Sequence, residues 1–449
     1  MSRRVSRCIA AAASLLAVLG LSARSFAQQP PAAPLRQLLE DTDALAAWIA
    51  AHSHDARAAA ARVDQAQAAY GASRLRPNPQ LTASLGGVPA GATNPPGLGW
   101  GDTVNYGATV SQLFEIGKRQ PRSTAARLRV SSEQQSMAGT LIGSVADARE
   151  SIARVLYGRS RKAALTEELE NARQVVALQR VRLERGDLSG IDFDRLQLDA
   201  QMLEADLAQA VADYTESLAS CARVLFASCD GGEADLEVVT ARLQSTDVAL
   251  PPDWEAMLQA RPDLQALDTA QQATAQDVVL ALKRKVPDPI VSLGFTRDQF
   301  VISGNNPKTV ALGVTIPLPT FDRGKQDAAR AAAAGRELSE TAAGIAARAR
   351  SDAESLRTRH ASISAALDAL KTDALTRANS ILTSTAEAVS QGELSTTDLL
   401  LARRARTDVT LRMMDLQLQL YLVQNDLRQV LGLDAPVVRR IQGVTWPTP

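Results

Sequence analysis

The chain repeats itself, and this repeat limits its architecture more than any other feature. Gly186-Asp187-Leu188-Ser189-Gly190-Ile191-Asp192 returns 206 positions later as Gly392-Glu393-Leu394-Ser395-Thr396-Thr397-Asp398. Gly117-Lys118-Arg119-Gln120 returns as Gly324-Lys325-Gln326, and Asn78-Pro79 as Asp288-Pro289. Three matches in one order at nearly one offset describe two copies of a single unit, over about 36–229 and 255–431. Each copy reads as a helix, two strands, a very long helix, a glycine turn and a return helix. The first helix is expected over about Leu38–Leu75, and its counterpart from near Pro252 to about Val286.

Four short segments alternate. Leu81, Ala83 and Leu85 alternate with Thr82 and Ser84, and Val104, Tyr106, Ala108 and Val110 with Thr103, Asn105, Gly107, Thr109 and Ser111. In the second copy Val291, Leu293 and Phe295 alternate with Ser292 and Gly294. Val310, Leu312, Val314 and Ile316 alternate with Thr309, Ala311, Gly313 and Thr315. Period two predicts strands with one apolar face and one small or polar face. A soluble sheet with one wet face shares that pattern. Aromatics near the strand ends (Trp100, Phe114, Phe300 and Phe321) resemble the interface girdles of membrane barrels. Two hairpins cannot close such a barrel, since the smallest use about eight strands. An open sheet edge in lipid leaves backbone groups unpaired, so closure falls to other protomers. The periodicity does not choose between two chains and three.

Lys118 to Arg185 contains no proline but Pro121, and Lys325 to Gln391 contains none. A helix of that length spans about 100 Å at 1.5 Å per residue. The composition agrees: 45% of residues are hydrophobic but only 4% aromatic, which favours long Ala- and Leu-rich helices over a compact enzyme core. The last return helix carries a heptad stripe, Val409, Met413, Leu416, Leu420, Val423, Leu427 and Val430. A second stripe includes Leu411, Met414, Leu418 and Leu422. The earlier return helix keeps the same steps at Leu196, Ala200, Leu203, Leu207, Ala210 and Tyr214. Two stripes on one helix call for two neighbours, as in a ring of helices forming a tube.

Residues 1–27 read as a secretory signal: Arg3 and Arg4, an apolar run from Ile9 to Leu21, then Ser25-Phe26-Ala27 as a small-x-small cleavage site. Cys8 lies too early in the run for lipidation, so no lipid anchor is expected. The oxidising compartment leaves Cys221 and Cys229 two readings. They pair only if the helix breaks between them, because eight helical residues separate them by about 12 Å; otherwise they are two small buried residues. Lys+Arg and Asp+Glu number 49 each, which gives no nucleic-acid signature. His52, His54 and His360 supply no metal cluster, and Gly324-Lys325 lacks the spacing of a phosphate loop. No catalytic constellation, cofactor or resident metal is expected.

Arg76-Pro77-Asn78-Pro79-Gln80-Leu81 and Leu113-Phe114-Glu115-Ile116-Gly117-Lys118-Arg119 resemble the first hairpin of TolC-like outer-membrane efflux proteins. Arg261-Pro262-Asp263-Leu264 resembles the start of their fifth helix. Ile316-Pro317-Leu318-Pro319-Thr320-Phe321-Asp322-Arg323-Gly324 resembles their fourth strand and its exit. The Leu-Phe-Glu-Ile-Gly-Lys-Arg stretch is most similar to the cobalt-zinc-cadmium branch. The resemblance implies a mainly α homotrimer with a twelve-stranded outer-membrane β-barrel, four strands from each protomer, and a periplasmic α-helical barrel. It implies two partners, a periplasmic adaptor and an inner-membrane transporter of the resistance–nodulation–division type. The cargo would be metal cations or drugs. The domain plan is leader 1–27, first repeat 28–229 with its hairpin at about 80–113, and linker 230–254. The second repeat follows at 255–431, with its hairpin at about 289–317, then a tail at 432–449. Asp192 and Asp398 match the position where family members narrow the tunnel, with Asp194 close by. In a trimer each aspartate becomes a ring that favours cations. Asp in a helix's first turn also serves as a cap, and both roles stay open. Gly186, Leu188, Ser189, Gly392, Leu394 and Ser395 form the tip turns where the resemblance puts adaptor contact. The rival reading is a periplasmic coiled-coil adaptor or scaffold without a pore, which would fractionate as a soluble protein.

Overall fold

The computed structural model describes residues 33–230, 253–298 and 306–442. The expected leader, nearly all of the linker, Phe300 and the end of the tail lie outside them. The first copy holds helices α1 (Leu35–Glu40), α2 (Thr42–His52) and α3 (His54–Ser73), strand β1 (Gln80–Gly86), the one-turn helix α4 (Trp100–Thr103) and strand β2 (Asn105–Leu113). Helix α5 (Arg119–Glu184) follows and α6 (Gly190–Leu225) returns. The second copy holds α7 (Trp254–Gln259), α8 (Pro262–Leu282), β3 (Ile290–Asp298), β4 (Lys308–Thr315), α9 (Lys325–Ala369), α10 (Leu375–Ser390) and α11 (Thr396–Leu431); α12 (Ala435–Gln442) closes the described chain.

The opening helices differ from expectation. The single helix expected over Leu38–Leu75 is three, because two side chains restart it. Asp41 Oδ1 accepts from the Asp43 amide at 2.8 Å, and Ser53 Oγ from the Ala56 amide at 3.3 Å. Its counterpart is split before Pro262, which stands at the first position of α8, where its missing N–H is no loss. Helix α5 is unbroken for 66 residues, about 100 Å. The second arm, Lys325–Ser390, carries a π turn at Leu370–Ala374 between α9 and α10.

The four strands form one antiparallel sheet in the order β1-β2-β3-β4. On the sheet side α3 packs on α5, and α8 packs between α5 and α9. Towards the glycine turns the order is α6-α5-α11-α10. In the sheet and in the helical layers on either side of the central belt, the described residues thus form a strip four elements wide, two from each copy. The stripes of α11 meet two neighbours as their spacing requires. Leu416 and Leu420 pack with Leu367, and Val423 and Leu427 with Ala349, Ala353 and Leu356 of α9. Leu418 and Leu422 join the cluster built on Val145, Ile152 and Val155 of α5, and Leu411 the one around Leu165 and Leu169.

Helix α6 stops at Leu225, and Phe226 takes a positive φ of 53°. That reversal brings Cys229 back beside Cys221, and the two form a disulfide with Cα atoms 6.1 Å apart. The same belt holds the main core, where α2, α3, α5 and the end of α6 converge. It is pinned by a buried ion pair. Arg149 of α5 grips Asp434 with both terminal nitrogens, and Arg428 adds a bond at 3.0 Å.

Candidate functional site

Register sorts the sheet into two chemistries. One face carries the rows Leu81–Val110–Leu293–Leu312 and Ala83–Ala108–Phe295–Val310. The other carries Gln80–Ser111–Ser292–Gly313, Thr82–Thr109–Gly294–Ala311 and Ser84–Gly107–Thr296–Thr309. No described residue covers the apolar rows: Leu81, Val310 and Leu312 are each more than 70% exposed. An uncovered apolar surface of this regularity is a face for lipid, and the small hydroxyl-rich face suits a watery lumen. Among the described residues no helix is long and apolar enough to cross a membrane.

The strip also has unfinished edges. Among the described residues, strands β1 and β4 each pair on one side only. Helix α6, at one edge of the lower strip, exposes Leu198, Met202 and Val211. Sheet and helices are therefore open at their margins in the same sense.

At the far end from the sheet lie the two glycine turns. Gly186 and Gly392 have φ of 80° and 79°, a conformation only glycine adopts without strain. Each turn closes with the same pair of bonds. Asp187 N donates to Arg182 O at 2.9 Å and Glu393 N to Ala388 O at 2.9 Å; Gly186 N and Gly392 N bond Leu183 O and Val389 O. The two aspartates that the repeat equates behave differently. Asp398 closes a capping box with Ser395: its carboxylate accepts from the Ser395 amide at 3.0 Å and hydroxyl at 2.7 Å, while Ser395 Oγ accepts from the Asp398 amide. The Ser395 hydroxyl, then its amide, holds the Asp398 carboxyl below its ordinary value. Asp192 instead pairs with Arg195 at 3.3 Å, and Ser189 makes no side-chain cap. Asp194 is exposed, as are Ser189, Leu394 and Ser395; Leu188 is half-buried.

Residues 47–225 match the family model described as outer membrane efflux protein. The chain is 27% identical over 304 residues to the nickel and cobalt resistance protein CnrC of Cupriavidus metallidurans, covering 68% of this chain and 67% of that protein. It is 26% identical over 272 residues to the cobalt-zinc-cadmium resistance protein CzcC of the same organism, covering 59% and 60%. The chain is similar to TolC-like outer-membrane efflux proteins. Its fold is similar to solved channels. The CmeC outer membrane channel of Campylobacter jejuni superposes with a TM-score of 0.71 at 14% identity, over 94% of this chain and 93% of that one. CusC gives 0.69 at 16%, over 91% and 95%. These likenesses support an outer-membrane channel of tripartite efflux, and the adaptor reading gives way to a duplicated channel fold. The family and fold are those of passive channels rather than enzymes.

Two contacts in the chain escaped the sequence reading. Gln179, fully buried near the end of α5, donates to Thr396 at the start of α11, and Arg404 of α11 pairs with Asp199 of α6. Together they tie the first tip hairpin to the second. Thr396 stands where the first copy has Gly190, and Arg404 where it has Leu198. The repeat comparison therefore holds the signal as a difference, which a search for matches passes over.

Proposed function

We propose that three copies of this chain join head to tail into a twelve-stranded barrel and a periplasmic tube of helices. One observation carries this: in the sheet and in the helical layers on either side of the central belt, the described strip ends in two open edges, while one face of its sheet is apolar and uncovered by described residues. Joining β4 of one copy to β1 of the next removes both the unpaired backbone and the exposed margins. The leader over 1–27 would direct export, and an adaptor with a resistance–nodulation–division transporter would supply cargo and energy. The metal-resistance relatives support divalent transition-metal cations as that cargo.

At the tip, Asp192, Asp194 and Asp398 would form carboxylate rings, and Gly186, Leu188, Ser189, Gly392, Leu394 and Ser395 the surface that meets the adaptor. The bonds by which Asp398 caps α11 also favour its charged form, so a ring built from it would stay anionic. Arg195 offsets part of the charge at Asp192. The test is conductance in planar bilayers, with detergent-extracted protein run unheated to count subunits. Cation-selective channels from a heat-dissociable trimer are expected, and Asp192→Ala/Asp398→Ala should lose most of that selectivity. A single soluble chain in water without detergent would end the pore reading; unchanged selectivity in the double variant would end the ring alone.

A further inference from the structure

The segments joining sheet to helices carry charge out of proportion to the rest of the chain. Residues 74–79, 114–122, 283–289 and 316–327 hold ten Lys and Arg against four Asp and Glu, in a chain whose totals are equal. The fold stitches these segments together. The Ile116 amide and Lys118 Nζ donate to Asp288 at 2.9 and 2.7 Å, and Arg122 Nε donates to the Ser73 carbonyl at 3.1 Å. All four carboxylates are taken: Glu115 by Arg122, Asp288 by Lys118, Asp322 and Asp327 by Arg284. Arg76, Arg119, Lys283, Lys285, Arg323 and Lys325 remain exposed and form no ion pair among the described residues.

Apolar groups stand among these cations. Phe114 is 51% exposed, Ile116 48% and Leu318 77%, directly below the apolar rows of the sheet. A groove of about 990 Å³ runs between the base of β1 and the start of α5, with Arg76 and Arg119 on its walls and Phe114 beside them. Two guanidiniums facing one groove suit a phosphate, which each can grip through two parallel N–H bonds. A ring face at the same groove suits the upper part of an acyl chain. Among the described residues neither guanidinium has an ion-pair partner.

We propose that this collar binds the headgroup phosphates of anionic phospholipids in the periplasmic leaflet, with the groove between Arg76 and Arg119 as the main seat. The proposal rests on the membrane-spanning reading of the sheet. The collar would fix how deep the barrel sits, because the cations stop where the phosphates are while the rows above them stay in hydrocarbon.

The test uses the full mature protein reconstituted in phosphatidylcholine vesicles containing trace spin-labelled phosphatidylglycerol or spin-labelled phosphatidylcholine. Electron paramagnetic resonance reports the fraction of each label immobilised on the protein. Phosphatidylglycerol should be preferred, by up to about fivefold for each cation engaged, the equivalent of ~1 kcal/mol. The preference should fall as salt rises, and should largely vanish in Arg76→Gln/Arg119→Gln. Lys371→Gln, on the π turn far below the collar, should keep it. Equal binding of the two labels by wild type, or an unchanged preference in the groove variant, overturns the proposal. Conductance of the same vesicles separates the two readings: a conducting channel without lipid preference sinks the collar alone, and no incorporation sinks both.

Discussion

Asp434 lies just beyond α11 and is 1% exposed, and the Arg149 side chain opposite it is 8% exposed. Asp434→Asn keeps the shape and one hydrogen-bonding oxygen but removes the charge that Arg149 was buried against. Breaking a buried pair from one side costs about 3–5 kcal/mol, because the remaining charge has neither water nor partner. Arg428, about a third exposed, recovers solvent and adds little. Thr42 Oγ1, which accepts from Arg149 at 3.1 Å, compensates only a neutral hydrogen bond's worth. The variant should melt well below wild type when followed by tryptophan fluorescence, for which Trp48 in the same belt is a local reporter. Asp434→Asn/Arg149→Met should recover most of the loss, since no lone charge is left. The gap should also depend on pH. Burial alone would raise the Asp434 carboxyl, but the bond and charge of Arg149, then those of Arg428, outweigh it and hold it below its ordinary value. A depressed folded-state pKa means stability that is complete above the ordinary carboxylate value, about 3.9, and lost as pH falls through the lower folded value. The difference between wild type and Asp434→Asn should therefore be flat near neutrality and shrink only in strong acid. A single variant melting with wild type, or a double variant worse than the sum of its parts, would refute this account.

Gly324, with φ of 74°, leaves no room for a Cβ, which would strike the Ala281 carbonyl; Gly324→Ala should sharply lower the yield of folded protein in detergent. Gly344→Ala, in open space within α9, should instead raise stability by up to about 1 kcal/mol, and the reverse order of the two would refute the reading. The Cys221–Cys229 bond closes a short loop, worth about 2.5 kcal/mol by chain entropy. Reductant should lower the melting temperature of wild type but leave Cys221→Ser/Cys229→Ser unmoved, and a reductant-insensitive wild type would count against that value.

Much of the fold was legible because it obeys simple periods. Alternation located all four strands, and the two stripes of α11 specified neighbours that proved to be α9 and α5. The breaks at Asp41 and Ser53 were hidden because the helical pattern runs on across them, and only a cap bond decides where a helix restarts. The disulfide was undecidable in advance, since it depends on one residue, Phe226, taking a conformation unusual for a bulky side chain. The tip turns were readable as a matched pair, yet their chemistry diverges: Ser395 caps where Ser189 does not, and Asp192 turns to Arg195. The collar was invisible in the linear chain, because its charges come from four separate segments and cancel against acids elsewhere.

A strip with two raw margins has a consequence for biogenesis. If three copies close the barrel as proposed, a lone chain would hold only four of its strands and a pair would still leave one seam unsealed in oil, so no partial assembly would have anywhere comfortable to rest. The hydrocarbon-crossing wall would come into being only when the last seam closes, and insertion should follow oligomer formation steeply with subunit concentration. One subunit with a spoiled margin would then disable its two sound companions.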